Sequence, residues 1–172
     1  RAGVGTDNID KHAATRQGIV VMNTPAGNTV STAEHAFTLL LALSRNVAPA
    51  DASLREKRWD RSKYMGVQLA GKTLGIVGMG RIGQAVASRA RAFDMRVVVY
   101  DPFLAAERAG ELGVELFGSV REMLPELDYL TVHTPLTDDT RHLIGKQELS
   151  LLKPGVRVVN CARGGIYDEE AL

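Results

Sequence analysis

The chain has 172 residues, the length of one ordinary domain with room for a packed core. Its 45% apolar and 24% charged residues exclude a disordered tail and a collagen-like fibre, and 21 basic against 20 acidic residues leave a net charge of +1. A net charge this small produces no electrostatic field strong enough to attract nucleic acid or an anionic membrane, and we expect neither as a partner. The single cysteine, Cys161, excludes an internal disulfide and a Cys-rich zinc site and favours a reducing, cytoplasmic setting.

The longest apolar stretch bears on membrane insertion, and the two ends of the chain bear on its completeness. Residues 37–43 are far fewer than the roughly 20 that span a bilayer. The chain begins with Arg1 rather than Met, and residues 168–172 have the acidic, amphipathic pattern of a first helical turn. We therefore expect a piece of a longer protein.

Short β-branched runs alternate with helical patterns along the chain, which predicts an α/β fold. Near-continuous apolar runs are typical of a parallel sheet covered on both faces, and a doubly wound sheet binds ligands at the carboxyl ends of its strands. The predicted strands are residues 19–22, 73–77, 96–100, 129–132 and 157–159. The predicted helices run from Ser31 to about Ser44 and over Arg81–Phe93, Ala105–Leu112, Ser119–Leu124 and Lys146–Leu151.

The helix predicted from Ser31 is apolar on nearly every side. Ser31 and Glu34 have the spacing of a capping box, which places the helix start at Ser31. A helix without a polar face is buried on most sides, so we expect a neighbour such as another subunit to cover it.

A glycine loop lies between the second predicted strand and the helix that follows it. Gly78, Gly80 and Gly83 form a G-x-G-x-x-G that follows Val77 and opens the helix, as a dinucleotide-binding loop requires. Gly78 permits the tight turn, Gly80 lets backbone N–H groups approach a pyrophosphate, and Gly83 lets the helix lie close on the sheet. The intervening Arg81 and Ile82 belong to the same predicted cofactor site.

Asp101 stands eighteen residues after Gly83, at the end of the next predicted strand. A carboxylate there accepts hydrogen bonds from ribose hydroxyls and repels the 2′-phosphate of NADP, which favours NAD. The alternative is an ordinary βα turn with a solvated strand end. Arg81 has two equally weighted interpretations, contact with a cofactor phosphate or a solvated position on the first helical turn.

Arg163 lies just past the last predicted strand and is followed by two glycines. Its guanidinium offers a planar fork of donors that matches a carboxylate, although most arginines are simply surface residues. Cys161 has no helix N-terminus after it and no adjacent histidine, so we expect a half-buried wall residue rather than a nucleophile.

The strand predicted at residues 129–132 also ends in the ligand zone. Thr134 and Pro135 are placed to border a cofactor, and His133 is a candidate proton donor on position alone. We expect the other three histidines to be structural or solvated, and no His, Cys and carboxylate cluster has metal-ligand spacing. The charged segment from Arg55 to Arg61, around Trp59, is interpreted as a surface arm that packs on a partner chain, with nucleic-acid binding as a remote alternative.

Five stretches along the chain form a characteristic series of motifs. They are Arg1 to Asp10, Met22 to Pro25 with Gly27 and Asn28, the glycine loop, Val132 to Leu136, and Asn160 to Gly165. Together they closely resemble the D-isomer-specific 2-hydroxyacid dehydrogenases over essentially the whole chain. Several motifs in one order are far more specific than the glycine loop alone.

The resemblance implies an oxidoreductase that transfers a hydride between NAD and a D-2-hydroxy acid, built on a Rossmann-like NAD-binding domain. The sequence resemblance is strongest with family members whose substrate is a phosphorylated D-2-hydroxy acid. Arg163 matches the catalytic arginine, which orients the substrate carboxylate and polarises the carbonyl oxygen. The implied cofactor contacts are Val4, Thr134, Pro135, Cys161, Ala162 and Arg163, and the implied substrate contacts are Val4 and Gly5.

The resemblance also implies how the chain is organised. Residues 1–30 match a junction segment from a separate substrate domain, and residues 31–172 match the NAD-binding domain, which we expect to be incomplete at its C-terminal end. The helix from Ser31 and the arm around Trp59 match the contact of a homodimer.

One departure from the family bears on activity. Members place a glutamate and a proton-shuttling histidine well downstream of the arginine, and the 172 residues contain no match to either. We therefore expect little or no turnover from this chain alone. Two other functions stay open: a corepressor-like module that senses NAD without catalysis, and a methyltransferase that uses S-adenosylmethionine.

Overall fold

The computed structural model describes all 172 residues and contains one five-stranded, fully parallel sheet. The strand order is β3-β2-β1-β4-β5, in which the chain moves outward from β1 in one direction and then returns to build the other half. This order confirms the predicted doubly wound, Rossmann-like topology. The strands are β1 (Thr73–Val77), β2 (Arg96–Tyr100), β3 (Glu115–Leu116), β4 (Tyr129–Val132) and β5 (Arg157–Asn160).

Seven α-helices and two short 3₁₀ helices connect and flank these strands. The α-helices are α1 (Lys11–Arg16), α2 (Thr29–Ser44), α3 (Val47–Arg55), α4 (Arg81–Ala92), α5 (Ala106–Leu112), α6 (Val120–Met123) and α7 (Lys146–Leu149). The 3₁₀ helices are Arg61–Tyr64 and Leu124–Glu126. None of the helices is long and apolar enough to cross a membrane.

The core lies in two layers, one on each face of the sheet. On one face, α2 and α4 pack against alternate residues of the central strands, with Leu74 and Ile76 of β1 fully buried between them. On the other face, Val77 and Leu130 pack beneath α6 and the segment that contains Tyr167. Burial on both faces explains why the strands have continuous rather than alternating apolar sequences.

The start of α2 differs from the prediction. The first helical hydrogen bond runs from the Thr32 N–H to the Asn28 carbonyl over 2.9 Å, so the helix begins at Thr29 and Ser31 lies inside it. The Ser31 hydroxyl donates back to the Asn28 carbonyl at 3.1 Å instead of accepting from the backbone. The capping box predicted at Ser31 is therefore wrong, because Asn28 occupies the cap position.

The strand predicted at residues 19–22 is also wrong. The segment belongs to no strand of the sheet, and Val20 and Met22 are largely exposed. Only a few bonds hold it, among them the one from the amino terminus of Arg1 to the Met22 carbonyl at 2.7 Å. A β-branched run needs a neighbouring strand to become part of a sheet, and none lies beside it.

Two smaller differences concern short segments. Residues 168–172 form a turn in which the Ala171 N–H donates to the Asp168 carbonyl, and no helix begins there. The two-residue strand β3, which pairs with Val98 and Val99 of β2, was not predicted. Two residues are too few to show a sequence period.

Candidate functional site

The glycine loop joins β1 to α4 at the carboxyl edge of the sheet, and two of its glycines have no room for a side chain. Gly78 has a φ of +94°, and a Cβ there would lie 2.8 Å from the His133 carbonyl oxygen. A Cβ on Gly83 would overlap the Gly78 carbonyl oxygen. Glycine at these positions therefore allows the tight turn and the close approach of helix to strand.

Gly80 differs from the other two because its surroundings are open. A Cβ there would meet no atom within 4 Å. The backbone N–H groups of residues 80–83 donate to no protein acceptor, and they lie at the start of the twelve-residue helix α4. Free N–H groups at a helix N-terminus, approached through open space, suit an anionic group such as a pyrophosphate.

The Asp101 carboxylate is bonded to the backbone on both sides. One oxygen accepts from the Met79 N–H in the glycine loop at 2.7 Å, and the other accepts from the Phe103 N–H at 2.8 Å. Each oxygen retains a further lone pair, so the carboxylate still has capacity for ribose hydroxyls. Asp101 thus also holds the loop in place, a role that sequence reasoning missed. Arg81 is exposed and pairs with no other group.

The end of β4 brings His133 and Thr134 against the glycine loop. Burial lowers the pKa of His133 to about 4, so its imidazole is neutral at neutral pH and is poorly suited to the proton-donor role. Its Nε2 bonds the Thr131 hydroxyl at 3.1 Å. The Thr134 hydroxyl is buried without a partner, and its methyl carbon lies 2.8 Å from the position that a Cβ on Gly78 would take. An unpaired buried hydroxyl beside this loop is an available hydrogen-bonding group for a ligand. Pro135 follows it and is exposed.

Arg163 lies against the loop at residues 4–7, although the two are far apart in the sequence. Its Nη2 and Nε donate to Asp7 Oδ1 at 3.0 and 3.3 Å, and its Nη1 donates to the Ala162 carbonyl at 2.7 Å. The Arg163 guanidinium holds the pKa of the Asp7 carboxyl below its usual value. The structure therefore brings Gly5 and Arg163 together, and it adds Asp7, which the sequence analysis did not select.

Asn160 shapes the turn that carries Arg163. Its side chain accepts from the Ala162 N–H at 2.9 Å and donates to the Arg163 carbonyl at 2.8 Å. Cys161 is half-buried, and burial raises the pKa of its thiol, so the thiol is protonated at neutral pH. Asn160 and Cys161 line one side of a cleft of about 350 Å³, and His35 of α2 lines the other.

Two more buried atoms without partners lie at the start of α2. They are Oδ1 of Asn28 and Oγ1 of Thr29, and neither residue was singled out for a function. No group of three or more His, Cys, Asp or Glu side chains in the structure could hold a metal ion.

Residues 37–172 match the family described as D-isomer specific 2-hydroxyacid dehydrogenase, NAD binding domain. The chain belongs to this family. Among its curated relatives are the D-3-phosphoglycerate dehydrogenases of Archaeoglobus fulgidus, 54% identical, and of Bacillus subtilis, 53% identical, each over all 172 residues. The match covers 32% and 33% of these relatives, so the chain spans about a third of their length.

Solved structures of dehydrogenases share the fold. The D-lactate dehydrogenase of Aquifex aeolicus, solved with NAD and lactic acid, is 34% identical and superposes with a TM-score of 0.88. The superposition covers 98% of this chain and 50% of that one. The apo D-lactate dehydrogenase of Escherichia coli is 33% identical, with a TM-score of 0.89 over 98% of this chain and 53% of its own.

Proposed function

We propose that the protein takes part in NAD-dependent oxidation of a D-2-hydroxy acid. The proposed reaction converts D-3-phosphoglycerate to 3-phosphohydroxypyruvate, a step of serine biosynthesis. The observation that carries the proposal is the placement of Arg163 and the residue 4–7 loop at the same sheet edge as a glycine loop with free N–H groups. The identity of about one half to D-3-phosphoglycerate dehydrogenases supports the choice of substrate.

The residues at this edge fit NAD, which when bound supplies a hydride acceptor. The free N–H groups at residues 80–83 are suited to its pyrophosphate, with Arg81 and Ile82 on the first turn of the helix. Asp101 is suited to the adenosine ribose, and its charge opposes a 2′-phosphate. The proposed walls of the site are Val4, Thr134, Pro135, Cys161 and Ala162.

Arg163 is the proposed catalytic residue of this chain. Its free N–H groups would bind the substrate carboxylate and polarise the oxygen at C2 as the hydroxyl becomes a carbonyl. The oxidation also releases the hydroxyl proton, and burial lowers the pKa of His133 to about 4, which makes its imidazole a weak base for that proton. We propose that the 172 residues alone therefore show little or no turnover, and turnover at a rate normal for such enzymes would contradict this.

The proposal extends to domain organisation and partners. None of residues 1–28 is buried, whereas α2 contributes five buried residues, which supports a boundary near residue 30 between a junction segment and the NAD-binding domain. Trp59 in the arm and Met65 just after it are 72% and 81% exposed, which supports a homodimer contact through this part of the surface together with α2. We propose a cytoplasmic location.

The test is an assay of the complete gene product for NADH formation from D-3-phosphoglycerate. We expect NAD-dependent turnover, and we expect Arg163→Gln to lower kcat/KM by roughly 10²-fold or more. Binding of NADH without oxidation of any D-2-hydroxy acid would contradict the proposal and would favour the non-catalytic, NAD-sensing alternative.

A further inference from the structure

The side chain of Asp7 contacts Arg163 in a way that restricts how the guanidinium can lie. One carboxylate oxygen accepts from Nη2 at 3.0 Å and from Nε at 3.3 Å, so it spans the edge formed by these two nitrogens. On the opposite side, Nη1 donates to the Ala162 carbonyl at 2.7 Å. Contacts on both sides of a planar group fix its rotation about the side chain.

The remaining donors of Arg163 define what a ligand can use. A guanidinium has five N–H groups, and the contacts with Asp7 and Ala162 engage one each on Nε, Nη2 and Nη1. One N–H therefore remains on each terminal nitrogen. Two donors on adjacent nitrogens match the two oxygens of a carboxylate, or one carboxylate oxygen and a neighbouring carbonyl.

Gly5 allows this arrangement by leaving room for the guanidinium. A Cβ on Gly5 would overlap Nη2 of Arg163 and would lie 2.7 Å from Asp7 Oδ1. The same loop therefore supplies both the space for the guanidinium and the carboxylate that holds it. No hydrogen bond from any other side chain of the protein reaches the Arg163 guanidinium.

We propose that Asp7 is a positioning residue that holds the guanidinium of Arg163 with its Nη1 and Nη2 donors turned toward the carboxylate of the hydroxy acid. The inference rests on the proposed function, because it assigns Arg163 to the substrate. Asp7 does not itself contact substrate or cofactor in this account. A ligand can reach Arg163, since 42% of its side chain is accessible.

The test compares Asp7→Ala, Asp7→Asn and the control Asp139→Asn in the complete gene product. Asp139 is exposed and pairs with no other group. For Asp7→Ala we expect kcat/KM for the hydroxy acid to fall about tenfold or more, with the Kd for NADH unchanged. Asp7→Asn should recover part of this loss, because its amide oxygen still accepts from Nε and Nη2. Asp139→Asn should match the wild type.

Two outcomes would overturn the inference. One is an Asp7→Ala variant with wild-type kcat/KM. The other is a parallel loss of NADH affinity and thermal stability in that variant, which would indicate a structural role for the loop.

A crystal structure of Asp7→Ala separates this inference from the proposed function, because it does not depend on turnover. We expect the guanidinium to rotate or to adopt several orientations. An unchanged guanidinium would contradict the positioning role even in an active enzyme. If the wild type shows no turnover, the proposed function fails, and the assignment of Arg163 to substrate fails with it.

Discussion

The Asp101 carboxylate accepts hydrogen bonds from the backbone of the glycine loop and from the N–H of Phe103. In the proposed site its charge would also oppose the 2′-phosphate of NADP. We therefore expect a substitution to act on the shape of the loop and on the choice of cofactor. Cofactor choice is therefore measured as the ratio of the dissociation constants for NADH and NADPH. A change in loop shape that weakens both cofactors equally cancels in this ratio.

We predict that Asp101→Ser narrows the preference for NADH over NADPH. The ratio of the two dissociation constants should shift toward NADPH by about tenfold, because the repelling charge is gone while a hydroxyl remains. Calorimetric titration of both nucleotides measures the ratio. Asp94→Asn is the matched control, since Asp94 is an exposed aspartate outside the site with a φ of 57° that asparagine tolerates. An unchanged ratio in Asp101→Ser would count against the role assigned to this carboxylate.

His133 makes stability depend on pH. Its pKa is about 4 in the fold and 6.5 in its ordinary state, so between these values the unfolded chain binds more protons and gains relative stability as the pH falls. The stability associated with neutral His133 is therefore complete above pH 6.5 and is lost progressively down to pH 4.

We predict that His133→Gln flattens this dependence, because the amide does not titrate and can still bond Thr131. Relative to the variant, the wild type should lose up to about 1.4 kcal/mol of unfolding free energy per pH unit in that window. Urea denaturation across the pH range measures the difference. The exposed His12 supplies a control, and His12→Gln should keep the wild-type slope. Equal slopes for the wild type and His133→Gln would contradict the account.

At the scale of elements, two glycines of the same loop have different surroundings, so we expect one to matter for folding and the other for cofactor binding. Gly83 is packed against the backbone of the loop, whereas Gly80 faces open space at the N-terminus of α4. A methyl group on Gly83 would disturb the packing of α4 on β1. A methyl group on Gly80 would meet no protein atom, and in the proposed site it would occupy the space in front of the free N–H groups, where we place the pyrophosphate.

We predict that Gly80→Ala affects NADH binding and that Gly83→Ala affects stability. Gly80→Ala should keep its thermal stability and lose about tenfold or more in NADH affinity, while Gly83→Ala should lose about 2 kcal/mol or more of stability. Gly110→Ala is the control, because Gly110 lies in α5 with no atom near its Cβ position and should change stability by at most about 1 kcal/mol. Thermal melts and NADH titration measure both effects. Wild-type NADH affinity in Gly80→Ala would contradict the placement of the pyrophosphate.

Local sequence patterns predict some elements well and others poorly. The strand Thr73–Val77 was predicted with its exact bounds, because a buried central strand leaves an uninterrupted apolar run. Residues 19–22 are also an apolar, β-branched run but have no neighbouring strand, and composition alone does not reveal whether a partner strand exists. The start of α2 was misplaced because Ser31 and Asn28 both have cap chemistry, and the backbone decides between them.

At the scale of the whole molecule, the candidate site joins segments from both ends of the chain. The motifs around Gly78 and Arg163 were predicted because each follows a strand, a position that local sequence reveals. The contact of Asp7 with Arg163 spans 156 residues and leaves no local pattern, so only the folded structure shows it. The same holds for the bond between Asp101 and the Met79 N–H.

The exposed arm around Trp59 provides a prediction about assembly. We expect the complete gene product to sediment as a dimer and the double variant Trp59→Ser, Met65→Ser to shift toward monomer, because these two side chains expose a large apolar surface. Sedimentation velocity measures the distribution. Phe103→Ser is the control, since Phe103 is 95% exposed but lies outside the arm. A wild-type monomer, or a dimer unaffected by the double variant, would contradict the proposed contact.

The central claim is that the carboxyl edge of this sheet is an NAD site. The most direct measurement is calorimetric titration of the complete gene product with NADH, NADPH and S-adenosylmethionine under the same conditions. We predict saturable binding of NADH, binding of NADPH weaker by about tenfold or more, and no binding of S-adenosylmethionine. Binding of S-adenosylmethionine alone would contradict the account and would favour a methyltransferase.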